Sequence, residues 1–402
     1  MNKLKNIGIS ALAGTLVSLS AAQAGGVSVS GAYELSYTKL DHDEVTGHPL
    51  GVKKNISFGA GGDLTDGGGV TWSTNIGMTD AFGLSSASMA INMGGIATLT
   101  YDSGGGGTGA NSVDNIVPTA WEEVDYGFAT GISDVGAVSA TKGVVTLGIK
   151  APGAGTGISV SYANRMGSGH VADGSTGGVA ISPGYAGVDV VVDFVDYNAA
   201  HAGFRWGIAG QMELPEVTCI RGNTAMTATG GDDIASCQNG HKHNPYAGTM
   251  FTKLQLGPLH LGTQATFKNL ATTKSTAIMN TRSIVGGAAL LFGDTLSLSY
   301  GVAYDKYRYN DRNRLLPVQA GTQGYGMLNP ADGGGNGAHA QLGGDTNEYV
   351  TQKYAGFSAA LNLGPVALKG TRNNVRSVGQ GAHTGIYAGG DTHSEINLSI
   401  AF

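Results

Sequence analysis

The residues best placed to do chemistry in this 402-residue chain are carboxylates. The stretch DSGGGGTGANSVDNIVPTAWEEVDYGFATGISD carries Asp102, Asp114, Glu122, Glu123 and Asp125. Without a nucleophile beside them, fixed carboxylates next to low-dielectric walls act on ions by shaping the local field. A hydrolase would need a nucleophile and its base. The chain has no G-x-S-x-G, and its ten histidines are scattered through polar connections, among them His170, His201, His339 and His383. The glycine runs at 104–107 and 333–335 are followed by no GK[ST], which excludes a phosphate-cradling loop. Catalysis is not expected, and neither is a cofactor.

Cys219 and Cys237 are the two cysteines, and both fall in one Gly/Asn/Asp-rich stretch with His241 and His243. The spacing matches no zinc pattern, so no metal is expected. In an oxidising compartment two such near neighbours read as a disulfide closing a local loop. The compartment follows from the first residues. Lys3 and Lys5, the short apolar run Ile7–Leu19 and the small-residue site Ala22-Gln23-Ala24 read as a secretory signal over 1–24, leaving 25–402 as one mature domain. Losing Lys3 and Lys5 takes the formal net charge from −6 to −8, a mildly acidic balance that gives no hint of nucleic-acid binding.

The elements that must position these groups have a period of two. In the closing EINLSIAF, Ile396, Leu398, Ile400 and Phe402 alternate with Asn397, Ser399 and Ala401. The opening VSVSGAYELSYT does the same, with Val27, Val29, Tyr33, Leu35 and Tyr37 against Ser28, Ser30, Glu34 and Ser36. About sixteen such segments follow one another, each near the roughly 9–11 residues that a tilted strand needs to cross a bilayer. Tight joints such as Gly94-Gly95, Gly257-Pro258, Gly293-Asp294 and Gly364-Pro365 mostly alternate with long polar connections; 61–69 and 79–83 break that alternation of lengths. Turns on one side and loops on the other, with an even strand number that lets the first and last strands pair, describe a closed all-β transmembrane antiparallel barrel.

Sixteen strands enclose an aqueous channel, which something has to narrow. The long acidic segment after the fifth strand is the candidate. Its glycine run lets the backbone fold back inside, and NIVPTAWEEVDYGF holds apolar and aromatic residues that an exposed tip would waste.

The signal site, the opening GVSVSGAYELSYT, the long acidic loop between strands five and six, and the terminal Phe402 together resemble a Gram-negative general porin of the sixteen-stranded trimeric type. The resemblance implies an outer-membrane homotrimer through which ions and small hydrophilic solutes diffuse passively. It implies that the third loop folds into the lumen with Asp114, Glu122, Glu123 and Asp125 at the constriction. Basic residues would face them from the wall. Strand parity selects Lys53, Arg165, Arg205, Lys253, Lys268 and Lys369 as inward candidates, some of which could pair with wall carboxylates such as Glu34 or Glu213. The family's tight arginine cluster is absent, because the candidates are divided between Lys and Arg. Ile396, Leu398, Ile400 and Phe402 would be the assembly signal read by the outer-membrane insertion machinery. The rival readings are a substrate-selective outer-membrane channel and a β-barrel enzyme. A secreted β-solenoid would show a fixed repeat that this chain lacks.

Overall fold

In the last strand Ile396, Leu398 and Ile400 are exposed while His393, Glu395, Asn397 and Ser399 are buried, so the period-two sequence becomes a wall with an apolar outside and a polar inside. The computed structural model describes residues 26–40, 49–65, 69–80, 83–103, 109–113, 116–128, 143–150, 156–163, 185–198, 202–215, 244–269, 278–309, 350–378 and 391–402. Five strands, β1 (Val27–Leu40), β2 (Leu50–Asp63), β3 (Val70–Thr79), β4 (Gly83–Met93) and β5 (Ala97–Asp102), precede the third loop. It is followed by β6 (Val144–Lys150), β7 (Thr156–Ala163), β8 (Tyr185–Asn198), β9 (Ala202–Pro215), β10 (Tyr246–Leu256) and β11 (Leu259–Asn269). The wall is completed by β12 (Ile278–Phe292), β13 (Leu296–Tyr309), β14 (Val350–Leu363), β15 (Val366–Val378) and β16 (Asp391–Ala401).

Every strand pairs antiparallel with its sequence neighbours, and β1 pairs with β16 to close the ring. Closure leaves no sheet edge for lipid to desolvate, and the barrel needs no spanning helix. Among the described residues no helix is long and apolar enough to cross a membrane. The seam is hydrogen-bonded in both directions: Gly31 N donates to Phe402 O at 2.9 Å, and Phe402 N to Gly31 O at 3.0 Å.

The short connections lie at one end of the barrel and the long ones at the other. Tight turns such as those at Gly257 (φ 57°) and Gly364 (φ 66°) use left-handed glycines. The two connections that broke the length alternation keep the topology. The one between β2 and β3 lies on the turn side, and the one between β3 and β4 is a short member of the loop side. Residues 1–25, with the signal reading, and Cys219, Cys237, Asp114 and Arg165 lie outside the described residues.

Candidate pore constriction

The third loop leaves the wall at Asp102 and returns at Gly143, whose N–H donates to Asp102 O at 3.1 Å. Its described residues 109–113 and 116–128 are packed against the inner wall. Ala110, Val113 and Ile116 are buried with Val191, Ala209, Ala247 and Phe251 of β8, β9 and β10. Val124 is buried with Ala303, Tyr354 and Val375 of β13, β14 and β15. These wall residues are all in the inward phase of their strands, so the loop runs through the lumen.

Hydrogen bonds fix its path. Gln264 on β11 holds it twice, donating to Val113 O at 3.0 Å and accepting from Ile116 N at 3.3 Å. Ala120 N donates to Ser299 Oγ at 2.8 Å and Trp121 N to Ser358 Oγ at 3.2 Å. Asn373 Nδ2 reaches both Glu123 O at 2.8 Å and Tyr126 O at 3.0 Å. Buried loop amides and carbonyls have to be satisfied, and here single polar side chains on successive strands do it.

The loop can lie so close because of a row of glycines. Gly262, Gly287, Gly301 and Gly356 are direct cross-strand partners along β11 to β14, and the row continues to Asn373 on β15 and His393 on β16. A Cβ at Gly262 would stand 2.4 Å from Pro118 Cδ, and one at Gly287 2.7 Å from Val117 Cγ1. Gly301 and Gly356 face Val124 at 3.3 Å in the same way. Glycine inside a strand weakens it, and close approach of a second backbone is the usual reason for its presence.

The charged side chains fall into two groups. One surrounds Glu122 and includes Glu34, Glu395, Lys53 and Lys369 from β1, β16, β2 and β15. Burial, and then Glu395, push the Glu122 carboxyl up to about 7, against the pull of Lys369 and Lys53. Burial and the same Glu395, which accepts a hydrogen bond from the Tyr126 hydroxyl, push the Tyr126 phenol up as well. Lys369 is buried, its Nζ 5.9 Å from the centre of the Trp121 ring. The second group lies on β8 to β10, where Arg205 and Lys253 are cross-strand partners and Arg205 grips Asp193 with contacts of 2.5–3.0 Å. In the ring β9 stands eight strands from β1, so the acid-rich and base-rich groups occupy opposite arcs.

Lys53, Arg205, Lys253, Lys268 and Lys369 all take the inward phase. Only Lys53 and Lys369 are gathered around Glu122. Lys268 is near the loop end of β11, close to the rim. Glu123 and Asp125 border a small cavity between the loop and β11–β15. Glu395, Asn373, Gln264, Ser299 and Ser358 were not singled out from the sequence. Their signal was a polar residue at an inward position, which most inward positions share.

No protein-family model matches the chain, and no curated protein matches it. Solved structures do. In-vitro folded OmpT, an outer membrane protein of Vibrio cholerae, superposes with a TM-score of 0.59 at 8% identity over 96% of this chain and 100% of that one. Its trimer form gives 0.58 at 9% identity over 94% and 100%. Salmonella typhi OmpF, in complex with daunomycin, gives 0.55 at 10% identity over 94% and 97%. A mutant Rh. blastica porin gives 0.50 at 10% identity over 94% and 100%. The architecture is the sixteen-stranded outer-membrane porin fold, with a long third loop folded into the lumen.

Proposed function

We propose that the chain is a non-enzymatic outer-membrane channel through which ions and small hydrophilic solutes diffuse passively. The observation that carries this reading is the third loop, held inside a sixteen-strand wall by Gln264, Ser299, Ser358 and Asn373. A barrel of this width encloses water, and a loop fixed part-way across it sets a size limit without closing the path. Glu122, Glu123 and Asp125 on the loop, with Asp114 from its neighbouring stretch, form the acidic side of the constriction. Arg205 and Lys253 form the basic side on the opposite wall, Lys53 and Lys369 temper Glu122 within the acid-rich group, Lys268 acts nearer the rim, and Arg165 adds a further basic group.

The mature protein begins after cleavage at Ala24 and works as a homotrimer, a reading supported by the trimer form of the similar OmpT. Ile396, Leu398, Ile400 and Phe402 present an outward apolar ridge at the seam that the insertion machinery can read. Planar-bilayer recordings with a panel of salts and neutral sugars test the channel. Ohmic conductance that declines smoothly with solute size is expected. Saturable passage of one solute would instead indicate a selective channel, and no conductance at all would overturn the proposal.

A further inference from the structure

The two bases on the wall opposite Glu122 are not equivalent. Arg205 Nε donates to both Asp193 oxygens at 3.0 Å, and its Nη2 donates to Oδ2 at 2.5 Å. The carboxylate thus fills an edge of the guanidinium that could otherwise take two oxygens of an anion. Arg205 Cζ also lies 5.4 Å from the centre of the Phe251 ring, which is itself fixed. Phe251 is buried with Ala110, Val113 and Ile116 of the loop. Its ring covers Gly207, where an added Cβ would stand 2.5 Å from Phe251 Cζ and 2.8 Å from Cε1. Arg205 is therefore both neutralised and held in place.

Lys253 is the next base along the ladder, the cross-strand partner of Arg205 on β9 and of Gly262 on β11. Gly262 lies against Pro118 of the loop, which puts Lys253 at the height of the constriction. β10, β11 and β12 contain no acidic residue. Among the described residues Lys253 makes no hydrogen bond and no ion pair, and its charged neighbour is Arg205. Lys53 and Lys369 differ, because Glu34 and Glu122 stand beside them. Repulsion from Arg205 and the inward phase both favour a Lys253 ammonium turned to the water of the lumen.

We propose that Lys253 is the residue that sets how the pore treats anions, and that Asp193 is a built-in occupant of the Arg205 fork that keeps passing anions off it. The proposal rests on the channel reading above. An ammonium is a compact point charge, whereas a guanidinium reads the paired oxygens of a carboxylate or a phosphate. With the fork filled and the ammonium free, the pore ranks small anions by charge and not by shape.

The test measures zero-current potentials of the full-length protein in planar bilayers, in low-salt gradients of potassium chloride, nitrate and formate. In the native channel the three anions should rank as their mobilities in bulk water do. Lys253→Gln should lower chloride permeability relative to potassium by roughly fivefold, the effect of one unit charge at about 4 Å in water. Lys253→Arg should restore the chloride ratio and add a preference for formate, because it supplies an open fork. Asp193→Asn should raise formate permeability more than chloride permeability, because it empties the fork on Arg205. A native channel that favours formate beyond its mobility would overturn the proposal whether or not any variant folds. So would a conducting Lys253→Gln with the native chloride ratio, or a conducting Asp193→Asn with native selectivity. A native chain that conducts nothing would remove the channel reading itself, whereas conduction with these selectivities unmoved removes only this proposal.

Discussion

Replacing Gly262 with Ala tests whether the glycine row sets the depth of the third loop. The added Cβ would stand 2.4 Å from Pro118 Cδ, 3.3 Å from its Cγ and 3.4 Å from Val117 Cα. Carbon atoms rest at about 3.5–4.0 Å from one another, so the loop has to retreat by roughly 1 Å or more. A proline ring cannot rotate out of the way, and the wall is fixed by its ladder to β10 and β12. The backbone at 117–118 therefore moves into the lumen and narrows it. Strain of this kind costs about 1–3 kcal/mol. Gly287→Ala should act in the same direction and less strongly, because its nearest contact, at 2.7 Å, is the rotatable tip of Val117. Gly248→Ala on β10 is the control, with no loop atom near it and its nearest neighbour, Ala209 O, at 3.6 Å. Single-channel conductance should fall in the order native, Gly287→Ala, Gly262→Ala, with Gly248→Ala equal to native. Unchanged or increased conductance in Gly262→Ala would refute the reasoning, since the loop would then not be resting on the wall.

With the Glu122 carboxyl held at about 7, raising the pH from 6 to 8 adds negative charge to the constriction, and cation preference should strengthen across that window. Zero-current potentials in a salt gradient measure it; Glu122→Gln should flatten the dependence, and the shift should shrink at 1 M salt, where the Debye length is about 3 Å. The same raised carboxyl works against stability at high pH. The folded state holds the proton between the ordinary carboxylate value and about 7, so the loop's anchoring weakens as pH rises through that interval and the loss is complete above it. Asn373→Ala removes both hydrogen bonds to the Glu123 and Tyr126 carbonyls, weakening loop anchoring by about 1–3 kcal/mol, and should appear as more frequent conductance flicker in an otherwise intact barrel. Deleting Phe402 removes the seam's last hydrogen-bonded residue and should leave the protein exported but poorly inserted, measured as outer-membrane yield; normal yield would argue against the assembly role.

The wall was legible because a two-residue period is short enough to be seen within one strand. The count of about sixteen segments became sixteen strands, and even β4 and β5, where the alternation in the sequence is faint, belong to the wall. Inward bases were legible by the same parity, as Lys53 and Arg205 illustrate. Partnership was not. Arg205 is bound to Asp193, 12 residues earlier in the chain and diagonally across the β8–β9 ladder, and pairing of that kind is set by register. The glycine row was hidden for the same reason. Gly262, Gly287, Gly301 and Gly356 belong to four strands, and nothing local in any one of them shows that they line up. Glu395 was masked by its setting, since the strand was read for its apolar face and Glu395 lies on the other.

The seam between β1 and β16 also has a consequence in time. Asn397 Nδ2 donates to Glu34 Oε2 across 363 residues of chain, and the Gly31–Phe402 pair spans still more. Neither contact can form until the last strand has been synthesised and delivered. Contacts this distant demand the entropy of closing the longest loop the chain can make before they return any stabilisation. Until that moment β1 has an unsatisfied edge, open to pairing with any other strand that it meets. The closing strand β16 thus acts as a timer: the half-built sheet has to be kept from aggregating for as long as that strand is missing.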